Sequence, residues 1–363
     1  MTDSSPTARP GPPAVSRLSG LASSNAVRLG VAATVWLLSI GSLHRWRNGE
    51  ADDVRIVRMG HMPVLSNLSC PILEEASQGA DVRLSALKFS SFAEMGEAFR
   101  NHSIDAAFII APLPLVLRSQ GVPAKIVYIG NRHESTLVAR KELGLARGQF
   151  RLLAGRTVAV PLRFSGHALA LRRLLRANRM EESAIRIVEM PPPDMAAALQ
   201  NGSLDAYFVG EPFAARSVKA GLAGVVEYVE DGWPGFLCNV MIVHDDLIAR
   251  EPELVRRLVH GAVRASLWAG RNRNQAVAIA SRAWGQPNDL LSFAMDTPPG
   301  RIVFDRGVPK EAEVRELFDE MVRAGLIDAG KAAVVPDVVD GSFARTATGE
   351  GLTADVRSVL PPG

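Results

Sequence analysis

Two hydrophobic periods run through the chain. Short unbroken apolar runs, such as Ala106–Ile110, Thr157–Val160 and Ala206–Val209, fit strands buried on both faces. Between them, apolar residues recur every three or four positions over Ala93–Asn101, His167–Ala177 and Asp194–Asn201, the spacing of helices with one buried face. A proline stands after two of the strands, Pro112 before Leu113–Ser119 and Pro212 before Phe213–Ala220. Proline suits a first helical turn because its missing N–H is not needed there. Arg55–Met59 leads through His61-Met62-Pro63 into a helix near Leu68–Ser77, and Asn239–Val243 reads as a return strand. Beyond it the pattern is helical through Glu251–Trp268 and Glu311–Ala324, ending in a loose tail at 346–363. Such alternation predicts an α/β protein with open, mainly parallel sheets covered by helices.

The chain also resembles itself at a spacing of one hundred. Met95, Ala98, Asn101, Ser103, Asp105, Ala106, Phe108 and Pro112 recur without a gap as Met195, Ala198, Asn201, Ser203, Asp205, Ala206, Phe208 and Pro212. Gly121 matches Gly221 further on. Two copies of one supersecondary unit are too few and too long for a solenoid. They predict two lobes with a cleft between them. In parallel sheets ligands sit beyond the carboxyl ends of the strands, where helix N-termini offer free N–H groups to an anion or a polar head group. Asp105 and Asp205 stand where each would end a turn before its strand, a structural place.

Composition changes this picture little, except at the N-terminus. The 363 residues carry a formal charge of +3, but residues 1–48 hold five arginines against Asp3 alone. The remaining 36 basic and 37 acidic residues balance, with no basic run, which excludes a nucleic-acid partner. Leu29–Leu43 is uncharged over fifteen residues, behind a basic, Ser/Pro-rich stretch. That is the pattern of an export signal, and as a helix it rises about 22 Å, short of a bilayer core. It is expected to place the body outside the cytoplasm, either cleaved or kept as an inner-membrane anchor. The expected organisation is a signal or anchor at 1–50, a first lobe at 51–148, a second at 149–240, a return to the first lobe at 241–345, and a flexible tail at 346–363.

Pro191-Pro-Pro-Asp-Met195, Gly202-Ser-Leu-Asp-Ala206 and Gly210-Glu-Pro-Phe213 resemble the substrate-binding proteins of nitrate/sulfonate/bicarbonate-type ABC importers. Ala111-Pro-Leu-Pro114 and Gly121-Val-Pro-Ala-Lys-Ile-Val-Tyr128 extend the resemblance over about residues 52–345. It implies a periplasmic-binding-protein type II fold, two mainly parallel sheets with a ligand cleft between. It also implies a monomer without a cofactor that captures a small anion or zwitterion and hands it to a permease driven by an ATPase. The family's ligand-contacting histidine falls at His167, in Ser165-Gly166-His167. Its first-lobe aromatic falls at Phe92 and its polar amide near Ser135. The family's charged position lands at Phe236, which points to a ligand less charged or larger than nitrate.

Other candidates rest on their positions in the chain. His61 and Pro112 lie at strand–helix junctions and Asn239 opens the return strand. His133 either lines the cleft or caps a solvated strand end. Glu211 either reads a ligand's cation or hydroxyl, or pairs with Arg216 a turn later. His167, taken to sit at a loop edge, is expected to matter for binding and little for stability. Cys70 and Cys238, placed on different lobes, are expected to be reduced, buried thiols. Hydrolase, metalloprotease, Walker and dinucleotide motifs are all missing, which favours a binding protein over an enzyme. A tethered ligand sensor and a pyrimidine-precursor-binding or -synthesising relative on the same fold are the alternatives.

Overall fold

The computed structural model of the chain describes residues 29–40 and 54–360. Residues 29–40 form a helix of their own, exposed throughout, with Leu29, Trp36, Leu37 and Leu38 each more than 60 % accessible. Its two hydroxyls turn inward, Thr34 to the carbonyl of Gly30 and Ser39 to that of Val35, so its outer surface is almost wholly apolar. The rest of the signal or anchor, and the last three residues of the tail, lie outside the described residues.

The body holds ten strands in two five-stranded sheets. In chain order they are β1 (Arg55–His61), β2 (Val82–Lys88), β3 (Ala106–Ile110), β4 (Ala124–Ile129), β5 (Ser135–Arg140), β6 (Thr157–Val160), β7 (Arg186–Glu189), β8 (Ala206–Gly210), β9 (Ala223–Tyr228) and β10 (Asn239–His244). The first sheet runs β2-β1-β3-β10-β4 and the second β7-β6-β8-β5-β9. In each, four strands are parallel and the fourth in order is antiparallel, β10 in one and β5 in the other. The two sheets have the same plan, as the repeat requires.

The repeated residues hold the same bonds in both copies. Asp105 and Arg58 exchange backbone and side-chain bonds, the Arg58 N–H donating to the carboxylate at 2.8 Å and the Asp105 N–H to the Arg58 carbonyl at 2.9 Å. Asp205 and Thr157 do the same at 2.9 and 3.0 Å. Each aspartate thereby splices the start of its strand onto the neighbouring one, the structural role expected of it. Asn101 and Asn201 likewise each accept from the N–H two residues on, Ser103 and Ser203. This small polar turn ends one helix and aims the chain at the next strand.

Two sequence expectations change. The chain crosses into the second sheet at 130–134 rather than near 148, because β5 pairs with β8 and β9. The return comes before β10 at 239. The tail is not loose over its described part. Arg264, buried on the long helix Pro252–Arg271, gathers the carbonyls of Thr348, Glu350, Ser358 and Val359 at 2.6–3.0 Å. Val359 is fully buried in the cluster beneath that helix. A buried guanidinium with five donors can hold four carbonyls at once. Arg264→Met should therefore destabilise the protein by about 3 kcal/mol and open residues 346–360 to protease. Urea melts and limited proteolysis check this; an intact tail would refute the role given to Arg264.

Candidate functional site

Polar side chains converge where the loops after β1, β6 and β8 meet the starts of β5 and β10. The helix Gly166–Ala177 begins here because the Ser165 hydroxyl caps it, accepting the Ala168 N–H at 3.1 Å. Gly166 lets the Phe236 ring close against the helix start, since a Cβ there would meet that ring at 2.8 Å. His167, next in line, is thereby aimed across the junction at β5. Its Nε2 lies 2.9 Å from the Ser135 hydroxyl, and its ring packs on Phe208 and Phe236. Burial pulls its pKa down to about 3, so the imidazole is neutral, and its Nδ1 has no partner. The histidine is buried within the junction rather than sitting at a loop edge.

Beside Ser135 stands Glu134, which sequence reasoning passed over. It is fully buried. One carboxyl oxygen accepts the Glu211 N–H at 2.8 Å, while Oε1 has no partner. Gly210 makes room for it, as a Cβ there would lie 2.8 Å from Oε1. Burial pushes its pKa up to about 8, helped by nearby Glu211 and opposed by the Cys238 thiol and the Ser66 hydroxyl, which face it. The Ser66 hydroxyl is itself unpartnered.

Cys238 completes the group, its Sγ 3.5 Å from the Ser135 hydroxyl and 3.9 Å from His167 Nε2. A hydroxyl has one proton, so if Ser135 donates to sulfur, Nε2–H must donate to Ser135 and Nδ1 is left a bare acceptor. Thiol beside imidazole suggests a nucleophile, but the electrostatics run the other way. Burial and Glu134 raise the thiol's pKa well above its ordinary value, whereas reactive cysteines have it lowered by positive surroundings. Cys70 is also free and buried. The two cysteines do not divide between the lobes, for Cys238 directly precedes β10 of the first sheet.

The second missed residue is Arg301, in the irregular segment after the Asn288–Asp296 helix. It donates to Glu230 at 2.8 Å, to Thr136 at 3.0 Å and to the Ser135 carbonyl, and lies over the Tyr228 ring. Glu211 is held by Thr136 and the Ala215 N–H, with Arg301 at 3.8 Å. It does not pair with Arg216, whose guanidinium reaches Gln286 instead. No repeat or motif marks Arg301.

The remaining candidates are dispersed. His61 turns away from the junction, accepting the Trp284 indole N–H at 3.2 Å. Asn239 is buried and donates to Asn67 at 2.8 Å. Phe92 is buried at the start of the Phe92–Arg100 helix, and Pro112 caps the Leu113–Ser119 helix without a side-chain bond. His133 is half-buried in the left-handed region, φ +64°, with Nε2 unpartnered. An open groove of about 540 Å³ lies between those two helices and residues 162–164, with Arg100, Arg163, Glu97 and Glu189 on its walls.

Residues 51–282 match the sequence profile described as the NMT1-like family. The chain is 25 % identical over 186 residues to the nitrate/nitrite binding protein NrtA of Synechococcus elongatus, covering 46 % of this chain and 42 % of that one. It is 24 % identical over 180 residues to the taurine-binding periplasmic protein of Escherichia coli, covering 49 % and 55 %. A putative aliphatic sulfonates-binding protein of Escherichia coli is 23 % identical over 300 residues, covering 81 % and 88 %. The first two matches thus span about half of those relatives' own lengths. Among solved structures, the ligand-binding component of an ABC-type import system from Staphylococcus aureus superposes with a TM-score of 0.72 at 19 % identity, covering 82 % of this chain and all of that one. The last likeness establishes the fold: two sheets of the type II binding-protein plan.

The buried histidines set a pH dependence. His61, His167 and His244 have folded pKa values near 4, 3 and 4, below the unfolded 6.5. The unfolded chain therefore binds more protons between these values, and stability falls as pH drops below about 6.5. Glu134, raised to about 8, acts oppositely, and stability falls as pH rises from its unfolded 4.5 toward 8. Stability should peak near neutral pH, and His167→Gln should shallow the acid limb by up to about 1.4 kcal/mol per pH unit. Urea melts from pH 4 to 8 measure both limbs; an unchanged acid limb would contradict a buried neutral His167.

Proposed function

Because the chain belongs to the NMT1-like family, we propose that it is the extracytoplasmic solute-binding component of an ABC importer. It closes two lobes on a small polar ligand, an anion or zwitterion of the nitrate/sulfonate/bicarbonate class, and delivers it to a permease and ATPase. One observation carries this reading. Ser66, Glu134 and His167, from a first-sheet loop, the crossing segment just before β5 and a second-sheet helix, each keep a buried polar atom unpartnered. Buried polar atoms are ordinarily satisfied, and a ligand between the lobes would satisfy these. Relatives named for binding nitrate and taurine, and another named a nitrate import ATP-binding protein, support it. The protonated thiol of Cys238 and the neutral His167 favour binding over catalysis.

Residues 29–43 serve as the export segment in this reading. Among the described residues no helix is long and apolar enough to cross a membrane. The exposed apolar helix 29–40 suits an inserted signal, or the tether of a ligand sensor if it is retained. Residues 1–50 fused to a reporter active only outside the cytoplasm should give activity, and good expression without activity would sink the export reading. Thermal-shift assays with nitrate, bicarbonate, taurine and sulfonates should find a stabilising ligand by mass action. His167→Ala should weaken that ligand roughly ten- to hundredfold, measured by calorimetry. Unchanged affinity would remove His167 from the ligand's contacts. Since the ring packs on two phenylalanines, the same change should also cost about 2 kcal/mol of stability.

A further inference from the structure

We propose that the ligand presents an N–H donor to the buried carboxyl of Glu134, so the site selects amino-bearing molecules over simple oxyanions. This rests on the solute-binding reading and narrows its ligand class. Glu134 Oε1 is the unpartnered atom of a fully buried acid, whose carboxyl packs against Gly210 where a Cβ would otherwise stand. Facing it are Glu211 from the loop after β8, Cys238 from the segment before β10, and Ser66 from the loop after β1. None is a cation. The two arginines buried at the junction are already committed. Arg132 is bound to the carbonyls of Gly235 and Arg306 and to Glu313. Arg301 is bound to Glu230, Thr136 and the Ser135 carbonyl.

An oxyanion enclosed here would meet a carboxyl, a protonated thiol and a neutral imidazole. Without a free positive partner it would have only neutral hydrogen-bond donors to offset its desolvation. An ammonium group fits instead, since it would draw Glu134 into its ionised form and complete Oε1. A neutral amino-substituted ring fits as well, donating N–H to the carboxyl oxygen and receiving the acid proton at a ring nitrogen. The Ser66 hydroxyl, which faces the same carboxyl, is available to another polar atom of the ligand. His167 carries no charge, so it cannot supply the missing cation.

The test pairs each amino compound with its counterpart lacking the amino group. Calorimetry on the full chain would compare taurine with ethanesulfonate and 4-aminopyrimidine with pyrimidine, with nitrate alongside. Mass spectrometry would identify any small molecule released when the purified protein is denatured. The expected result is that an amino compound binds at least tenfold tighter than its partner and that Glu134→Gln removes about that advantage, the range of a hydrogen bond to a charged group. The wild-type comparison stands even if Glu134→Gln fails to fold, and Gly210→Ala offers a second way to displace the carboxyl. Nitrate or ethanesulfonate binding as tightly as the amino probes would overturn this inference and leave the solute-binding reading intact. So would a folded Glu134→Gln that keeps the preference. If no probe binds, a released molecule bearing N–H supports the inference and one without N–H overturns it. No binding and no released molecule would instead overturn the solute-binding reading itself.

Discussion

The arrangement depends on two strands that run against their sheets. β5 and β10 each fill the place between β8 and β9, or β3 and β4, and each enters its sheet at the end where the parallel neighbours finish. Ser135 is paired with Gly210 and Asn239 with Ile110. Backbone ladders are intolerant of slippage, because a one-residue shift would turn every buried side chain of a central strand to its opposite face. The register therefore fixes Glu134-Ser135 and Cys238-Asn239 as the first residues inside each lobe. They lie where α/β sheets receive ligands. The site follows from the crossing.

Around that geometry, packing decides protonation. Phe236 closes over Gly166, Phe208 backs the imidazole of His167, and Gly210 admits Glu134. With water excluded, His167 loses its proton and Glu134 keeps its own. The junction thus consists of neutral, hydrogen-bonding groups. Its formal charges sit one layer back, where Arg301 meets Glu211 and Glu230, and Arg132 meets Glu313. That layer ties the irregular segment after the Asn288–Asp296 helix to β5, and both of its guanidiniums are paired within the protein.

Local pattern carried much of this into the sequence. Strand β6 and the helices after Pro112 and Pro212 were legible because apolar periodicity and proline placement are short-range signals. The repeat made the twin sheets legible, since Asp105 and Asp205 do the same job in each. His167 was legible as the start of a helix after a strand. Glu134 was not, because an acid in a polar tetrapeptide reads as exposed until the strand after it is known to be central. The crossing at 130–134 was hidden for the same reason. Only pairing with β8, distant in sequence, assigns β5 to the second sheet. Arg301 and Arg264 were illegible because each acts through partners far away in the chain, to which sequence gives no index.

The interleaving of the sheets also has a kinetic consequence. Every strand of the second sheet comes from one uninterrupted stretch, β5 through β9, so that lobe can form from contiguous chain. The first sheet cannot. β3 and β4 remain without their shared partner until β10 arrives, after the whole second lobe has been threaded through. Contacts between such distant segments form slowly, because loop closure must precede any gain from pairing. Two adjacent apolar strand edges stay open in the meantime, and open edges invite pairing with other chains. The order of assembly is thus written into the topology: the inner lobe first, the outer lobe last.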